Sequence, residues 1–309
     1  MIIFNYLIVC IIFGTTFLAI KVGIDAAMPP FFSAGIRFFL AGLIIFLWMV
    51  WKRKASFKLL LRKEMLLSGI CLTFGTFSAL YWGEQYVSSG IAAVLSATGP
   101  LMILLLQVIV MRHKTSFFSV LGCIIGFAGV ILLLLPSLSI SGGTWFLMGC
   151  VVILIGELFY SSGALYSKQV IQKFQEFSPI TLNAAQMMHG GLLMLLLSVL
   201  TEDIHIKSML TTQAIGSLLY LIVIGSMIGH SLFYWLVAKT NPVFPSTWLY
   251  ISPLIALAFG VLFYRETLTW ITGIGVITII AGTVLTNLKN LAQLIPRSKT
   301  EVTKLQKPA

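Results

Sequence analysis

Ten apolar runs follow one another with short polar connections between them, and that alternation dictates what the chain can fold into. They cover about 3–23, 31–51, 64–84, 89–111, 116–136, 143–167, 179–200, 213–238, 243–264 and 268–288. At 1.5 Å per residue, roughly 20 helical residues cross a hydrocarbon core of ~30 Å. No water satisfies a backbone amide in that core, so runs of this length must be helical. Composition agrees. Of 309 residues, 59% are hydrophobic and 9% charged, and the mean hydropathy is +1.02. Charged residues make up about a quarter of a soluble domain. The expected class is an all-α polytopic membrane protein with ten transmembrane helices. The first run starts at Met1 with no basic stretch before it, and reads as a spanning helix rather than a cleaved signal peptide.

The net charge is +11, but its distribution argues against nucleic acid as a partner. Lys and Arg cluster between the apolar runs. With the N-terminus cytoplasmic, sixteen fall on the cytoplasmic side and four, Lys21, Arg37, Lys207 and Arg265, on the outer side. The positive-inside rule then puts both termini in the cytoplasm, in a multi-pass protein of the cell membrane. The tail, 290–309, is basic and is expected beside anionic lipid headgroups. Cys10, Cys71, Cys123 and Cys150 lie inside apolar runs without metal or redox spacing, and read as small apolar residues.

Self-comparison adds the most information. An offset of 153 residues pairs Ser78 with Ser231, Tyr81-Trp82 with Tyr234-Trp235, Pro100 with Pro253 and Leu101 with Leu254. The same offset pairs Arg112 with Arg265, Gly122 with Gly275 and Gly129 with Gly282. Earlier in each half the offset is smaller, pairing Lys21 with Lys168, Pro30 with Pro179 and Gly42 with Gly191. The expected units are repeats over 1–137 and 143–289. Each holds five spans, an odd number, so the second half enters the membrane upside down. Inverted five-helix repeats are an architecture of secondary transporters, with substrate sites near the midplane between repeats. A duplicated scaffold is the plain alternative.

The same residues resemble a known family. The stretches "FGTTFLAIKVGI" (13–24), "PPFFSAGIRFFLAGL" (29–43), "ALYWGEQYVSSGIAAVLSATGPL" (79–101), "GCIIGFAGVILLL" (122–134) and "GIGVITIIAGTVL" (273–285) are similar to the EamA-type permeases of the drug/metabolite transporter superfamily. The resemblance covers nearly the whole chain except the tail. It implies ten helices in two inverted repeats and a central cavity lined by the first four helices of each half. It also implies export or exchange of small metabolites such as amino acids and their relatives. One departure stands out: where the second half of the family usually carries a Trp-Ala type pair in its first helix, this chain has Tyr160-Ser161.

Several residues are candidates for the solute path. An ionised side chain at a helix centre costs roughly 2.5–3.5 kcal/mol on insertion scales. Glu157 therefore marks a substrate-amine or proton site, or else a protonated glutamate bonded to a neighbouring helix. Tyr160 and Ser161 share its helical face. Ser226, His230 and Tyr234 fall at i, i+4 and i+8, matched in the first half by Thr73, Phe77 and Tyr81. Their aromatic rings suit stacking or cation–π contact with a solute. His230 is a candidate partner of Glu157, though a lone histidine in a membrane helix is often structural. Trp82 and Trp235 read as interfacial anchors, and His189 as packing. Pro100 and Pro253 remove backbone hydrogen bonds in helices four and nine and are candidate hinges. Ser96, Thr98, Trp248 and Tyr250 are further lining candidates. The glycines at 122, 126, 129, 273, 275 and 282 suit close helix packing, within the chain or between copies.

The reading is a carrier of small-molecule solutes such as amino acids, amines or drug-like compounds, driven by protons or by the solute gradient. No "GxxxxGK[ST]" motif makes ATP its energy source, and no cofactor is expected. A lipid flippase of the same fold is the first alternative. An integral membrane enzyme would need clustered carboxylates or histidines, and the dense "TEDIH" (201–205) lacks a partner cluster. A channel lacks any visible pore loop.

Overall fold

The computed structural model describes residues 1–110, 112, 115–135, 143–204, 209–255 and 270–294. Its helices are α1 (Ile2–Asp25), α2 (Pro30–Trp51), α3 (Lys63–Gly83), α4 (Ser89–Ile109), α5 (Phe117–Leu134), α6 (Thr144–Lys173), α7 (Pro179–Thr201), α8 (Thr212–Lys239), α9 (Val243–Ile255) and α10 (Trp270–Leu294). No strand occurs among the described residues. Seven of these helices, α1 to α4 and α6 to α8, are long and apolar enough to cross a membrane, and α5, α9 and α10 contain shorter apolar stretches. Part of the ninth run, 256–264, Lys114, Lys207 and Arg265, and the tail from 295 lie outside the described residues.

Local chemistry sets the helix starts. Pro30 and Pro179 open α2 and α7, where a missing N–H costs nothing. The Ser178 hydroxyl accepts from the Thr181 amide at 3.1 Å, and Thr211 caps α8 through the Ala214 amide at 3.2 Å. The outward faces carry Leu, Ile and Phe, as at Leu7, Ile11 and Leu18 on α1 and Leu196, Val199 and Leu200 on α7, all solvent-exposed in the isolated chain. Such faces are stable against acyl chains.

Helices of the first half interlock with those of the second. α2 packs along α7, α5 along α10, α1 along α8 and α3 along α6. The glycines seat these pairs. A Cβ at Gly282 would lie 2.3 Å from the Gly126 amide nitrogen, and one at Gly122 would lie 2.3 Å from that of Thr286. Gly122, Gly129 and Gly282 are therefore filled inside the chain, between α5 and α10, whereas Gly273 faces open space.

Three features depart from regular helices. Both α3 and α8 contain a wide π segment, Ile70–Gly75 and Leu221–His230, at positions related by the internal repeat. α4 is broken at Ala97 and Thr98, so Pro100 stands in the first turn of a new helical piece, Gly99–Ile109, not in mid-helix. α9 is broken at Thr247, and helix continues through Pro253 to Ile255. The α9 break is held by side chains: Tyr6 and Asn287 both hydrogen-bond Thr247 Oγ1, at 2.8 and 3.1 Å.

Arg37 is a correction to the charge count. It is not a flanking outer charge but lies fully buried within α2. Lys21 and Lys168 also serve the bundle. Lys21 Nζ donates to the Glu84 carbonyl at 3.1 Å, and Lys168 Nζ to the carbonyls of Val237, Ala238 and Thr240 at 2.9, 3.1 and 3.0 Å. Glu84 and Val237 are repeat partners at the offset of 153. Each lysine therefore closes the C-terminal end of the third helix of its own half, where carbonyls lack intrahelical donors.

Candidate functional site

A small, mostly enclosed cavity of about 40 Å³ lies where α1, α2, α3, α4, α6, α8 and α9 meet. The side chains crowd it, leaving room for only a few water molecules. Its apolar walls are largely aromatic: Phe13, Phe17, Phe77, Phe233 and Trp248. Its polar groups are Arg37, Ser96, Glu157, Tyr160, His230 and Tyr234, with Thr16 and Thr76.

Most of those polar groups keep an atom free. Arg37 Nη2, Ser96 Oγ, Glu157 Oε2, His230 Nε2, Tyr234 OH and Trp248 Nε1 are buried and make no well-formed hydrogen bond among the described residues, although Ser96 stands beside Glu157, Ser68 beside Tyr234 and Trp248 beside Tyr160. Buried polar atoms are normally paired, and each exception asks for a reason. Here six exceptions border one cavity.

The broken helices shape the Glu157 side. α6 presents Glu157, Tyr160 and Ser161 to the breaks in α4 and α9. A Cβ at Gly99 would lie 2.8 Å from Glu157 Oε2, so the glycine leaves the carboxylate its space. Ser161 donates to the Gly99 carbonyl at 3.2 Å. The Tyr160 hydroxyl donates to Ser246 Oγ at 3.0 Å, and Ser246 donates to the Pro242 carbonyl at 2.7 Å.

The wide turns shape the other side. Arg37 Nε donates to Ser226 Oγ at 2.8 Å and Nη1 to the Tyr81 hydroxyl at 3.1 Å. Its guanidinium lies 4.6 Å from the Phe38 ring centre and 5.2 Å from that of Phe77. Ser226 sits in the π segment of α8, and a Cβ at Gly225 would meet Arg37 Nη2 at 3.1 Å. The repeat partners make a neutral version of the contact. Gln186, matched to Arg37, accepts from Thr73 Oγ1 at 2.7 Å, and Thr73 is matched to Ser226. His230 is caged by Phe13, Phe38 and Phe77, with ring centres 5.0, 5.3 and 5.5 Å away. No hydrogen bond joins it to Glu157 among the described residues.

Of the residues singled out from sequence, Glu157, Tyr160, His230, Tyr234, Phe77, Ser96 and Trp248 border the cavity. Ser161 and Tyr81 stand behind it as partners of Gly99 and Arg37. Thr98 bonds the Leu95 carbonyl at 2.7 Å, and Tyr250 bonds that of Cys123 at 3.1 Å, both away from the lining. Pro100 and Pro253 are buried outside it. Sequence reasoning missed Arg37. The signal was there: an arginine flanked by apolar residues in "AGIRFFL", well inside a span and matched by the repeat to another polar residue, Gln186.

The acidic stretch 201–205 has a structural task. Both Glu202 oxygens accept from the start of α2, the amides of Phe31 and Phe32, at 2.7 and 2.9 Å. His205 lies outside the described residues. No group of three metal-binding side chains occurs among the described residues.

Comparison with known proteins points one way. The model of the EamA-like transporter family matches twice, over residues 1–135 and 147–288. The uncharacterized inner membrane transporter YedA of Escherichia coli K12 is 27% identical over 281 residues, covering 90% of this chain and 88% of its own. The uncharacterized transporter YoaV of Bacillus subtilis 168 is 28% identical over 279 residues, covering 89% and 92%. Protein PagO of Salmonella typhimurium LT2 is 25% identical over 283 residues, covering 91% of each chain. A solved crystal structure superposes with a TM-score of 0.74 at 16% identity, covering 93% of this chain and 97% of its own, which speaks to the fold alone.

Proposed function

Because this chain belongs to the EamA-like transporter family, we propose that it is a secondary carrier of small metabolites that works by alternating access at the central cavity. The observation that carries the reading is the set of six buried polar atoms that, among the described residues, make no well-formed hydrogen bond, gathered around one aromatic cavity in the middle of an apolar bundle. Leaving such groups unpaired is costly unless they have a ligand in some state of the cycle.

Ten membrane crossings in two inverted repeats, 1–137 and 143–289, with both termini cytoplasmic, complete the proposal. Recurrent contacts support it: Lys21 with Lys168, Arg37–Ser226 with Gln186–Thr73, and a wide turn in the third helix of each half. Two copies of one fold, opposed across the membrane, give two similar conformations facing opposite sides. The solute gradient sets direction, and export is the physiological direction proposed.

Glu157 is the proposed proton-coupling group. Arg37, His230 and Tyr160 share its cavity. In proteoliposomes, amino acids, amines and small drugs are screened with and without a pH gradient, with Glu157→Gln beside wild type. A solute that moves in both proteins, with the pH dependence lost in the variant, is the expected result. Equal pH dependence in both leaves a carrier and removes Glu157 from coupling. Movement of labelled lipid, with every small solute excluded, favours a flippase instead.

A further inference from the structure

We propose that Glu84 is a proton-binding site outside the cavity, and that its carboxylate, once the proton leaves, is the counterion of Arg37. The site goes beyond the carrier reading and holds whatever solute the cavity takes.

Glu84 follows the last turn of α3 and is fully buried, away from the cavity lining. Neither of its side-chain oxygens makes a hydrogen bond among the described residues. An ionised carboxylate in that position is costly, and a bound proton removes the charge. Few charged or titratable groups face it. α1 brings Lys21 and Asp25, α2 brings Arg37, and Tyr81 lies one turn back on α3. α6 packs on the adjacent Gly83 through Gly149 and Ile153, which carry no charge. Neither cation pairs with the carboxylate. Lys21 Nζ lies 3.1 Å from Asp25 Oδ1 and donates to the main-chain carbonyl of Glu84. Arg37 donates to Ser226 and Tyr81 and enters no ion pair among the described residues.

The internal repeat supplies a control. Val237 stands where Glu84 does, and Lys168 closes that helix end on carbonyls as Lys21 closes its own. The closure works with valine, so the carboxyl is not there to build it. Arg37 is likewise matched by the neutral Gln186. The first half thus buries two opposite charges at positions where the second half has none. Each is expensive alone, and each is the other's natural compensation. With the proton on Glu84, Arg37 stays on Ser226 of the second half. When the proton passes to water at the end of α1, where Asp25 is exposed, the carboxylate attracts the guanidinium, which stays protonated and borders the cavity. The Tyr81 hydroxyl, which holds Nη1, competes with that attraction.

The test is infrared spectroscopy of the full-length protein in lipid, titrated from acid to alkaline pH. Subtracting Glu84→Gln from wild type should isolate one protonated-carboxyl band that converts to carboxylate as pH rises. Glu157→Gln should leave that band in place. Arg37→Gln removes the attracting charge and should raise the midpoint by about one pH unit or more, the range for an opposite charge close by. Tyr81→Phe frees Nη1 and should lower the midpoint, which keeps the pairing testable should Arg37→Gln fail to fold. Glu84→Val, the residue of the second half, should fold and lack the band. A Glu84 carboxyl that never converts, or is ionised throughout, overturns the proton site. A midpoint unmoved in folded Arg37→Gln or Tyr81→Phe overturns the pairing. No solute enters these measurements, so a failed carrier reading leaves them standing, and a failed proton site leaves the carrier.

Discussion

The space around Glu157 Oε2 is kept by a hydrogen atom. An added Cβ at Gly99 would stand 2.8 Å from that oxygen and 2.9 Å from Leu249 Cδ1. Both atoms end flexible side chains, so they can yield. Gly99→Ala should therefore fold with a loss of at most about 1 kcal/mol, because repacking strain is partly offset by the better helix propensity of alanine. Displacing the carboxylate should still change the pH dependence of transport. A thermal melt beside a transport assay checks this, and an unchanged pH profile would count against the proposed coupling role of Glu157 or against Gly99 shaping its place. At this scale legibility was uneven. Glu157 announced itself because a carboxylate inside an apolar run has few explanations. Arg37 did not, because a count of charges by side assigns every arginine to a flank, even one two turns inside a span. Its burial depends on Ser226, far away in sequence and brought near by α8.

Helix contacts draw a sharper line between glycines. A Cβ added at Gly282 would run into the backbone of Gly126, and backbone cannot turn aside as a side chain can. Gly273, on the same helix, has nothing within 4 Å. Gly282→Ala should cost about 1–3 kcal/mol or more by forcing α5 and α10 apart. Gly273→Ala should be neutral or slightly stabilising. Equal thermal stability of the two variants in detergent would contradict the packing. Among the described residues the apolar runs gave the helix positions within about six residues, the sixth and tenth running on to Lys173 and Leu294, because span length is set by bilayer thickness while polar helix ends are not. The wide turns at Ile70–Gly75 and Leu221–His230 were invisible to that argument. A π turn changes hydrogen bonding by one residue without changing composition. The α9 break at Thr247 was hidden too, since a proline marks lost hydrogen bonds only where it stands, and here Tyr6 and Asn287 hold the break.

The halves of the molecule are tied by pairs of contacts that repeat, and the cavity lies between them. The collinear matches at one offset are a property of the sequence and could be read there, whereas the cavity's lining comes from seven helices and emerges from packing. Alternating access requires the cavity wall to meet each side of the membrane in turn. Ser96 is 1% exposed and borders the cavity, so it reports this directly. The decisive measurement is the reactivity of Ser96→Cys toward a membrane-impermeant thiol reagent, applied to one face or the other of oriented vesicles. Cys10, Cys71, Cys123 and Cys150 are replaced beforehand. Reaction from both faces, slowed on each by transported solute, is the predicted result. Reaction confined to one face under every solute and pH condition, in protein that is folded, would contradict a carrier working at this cavity.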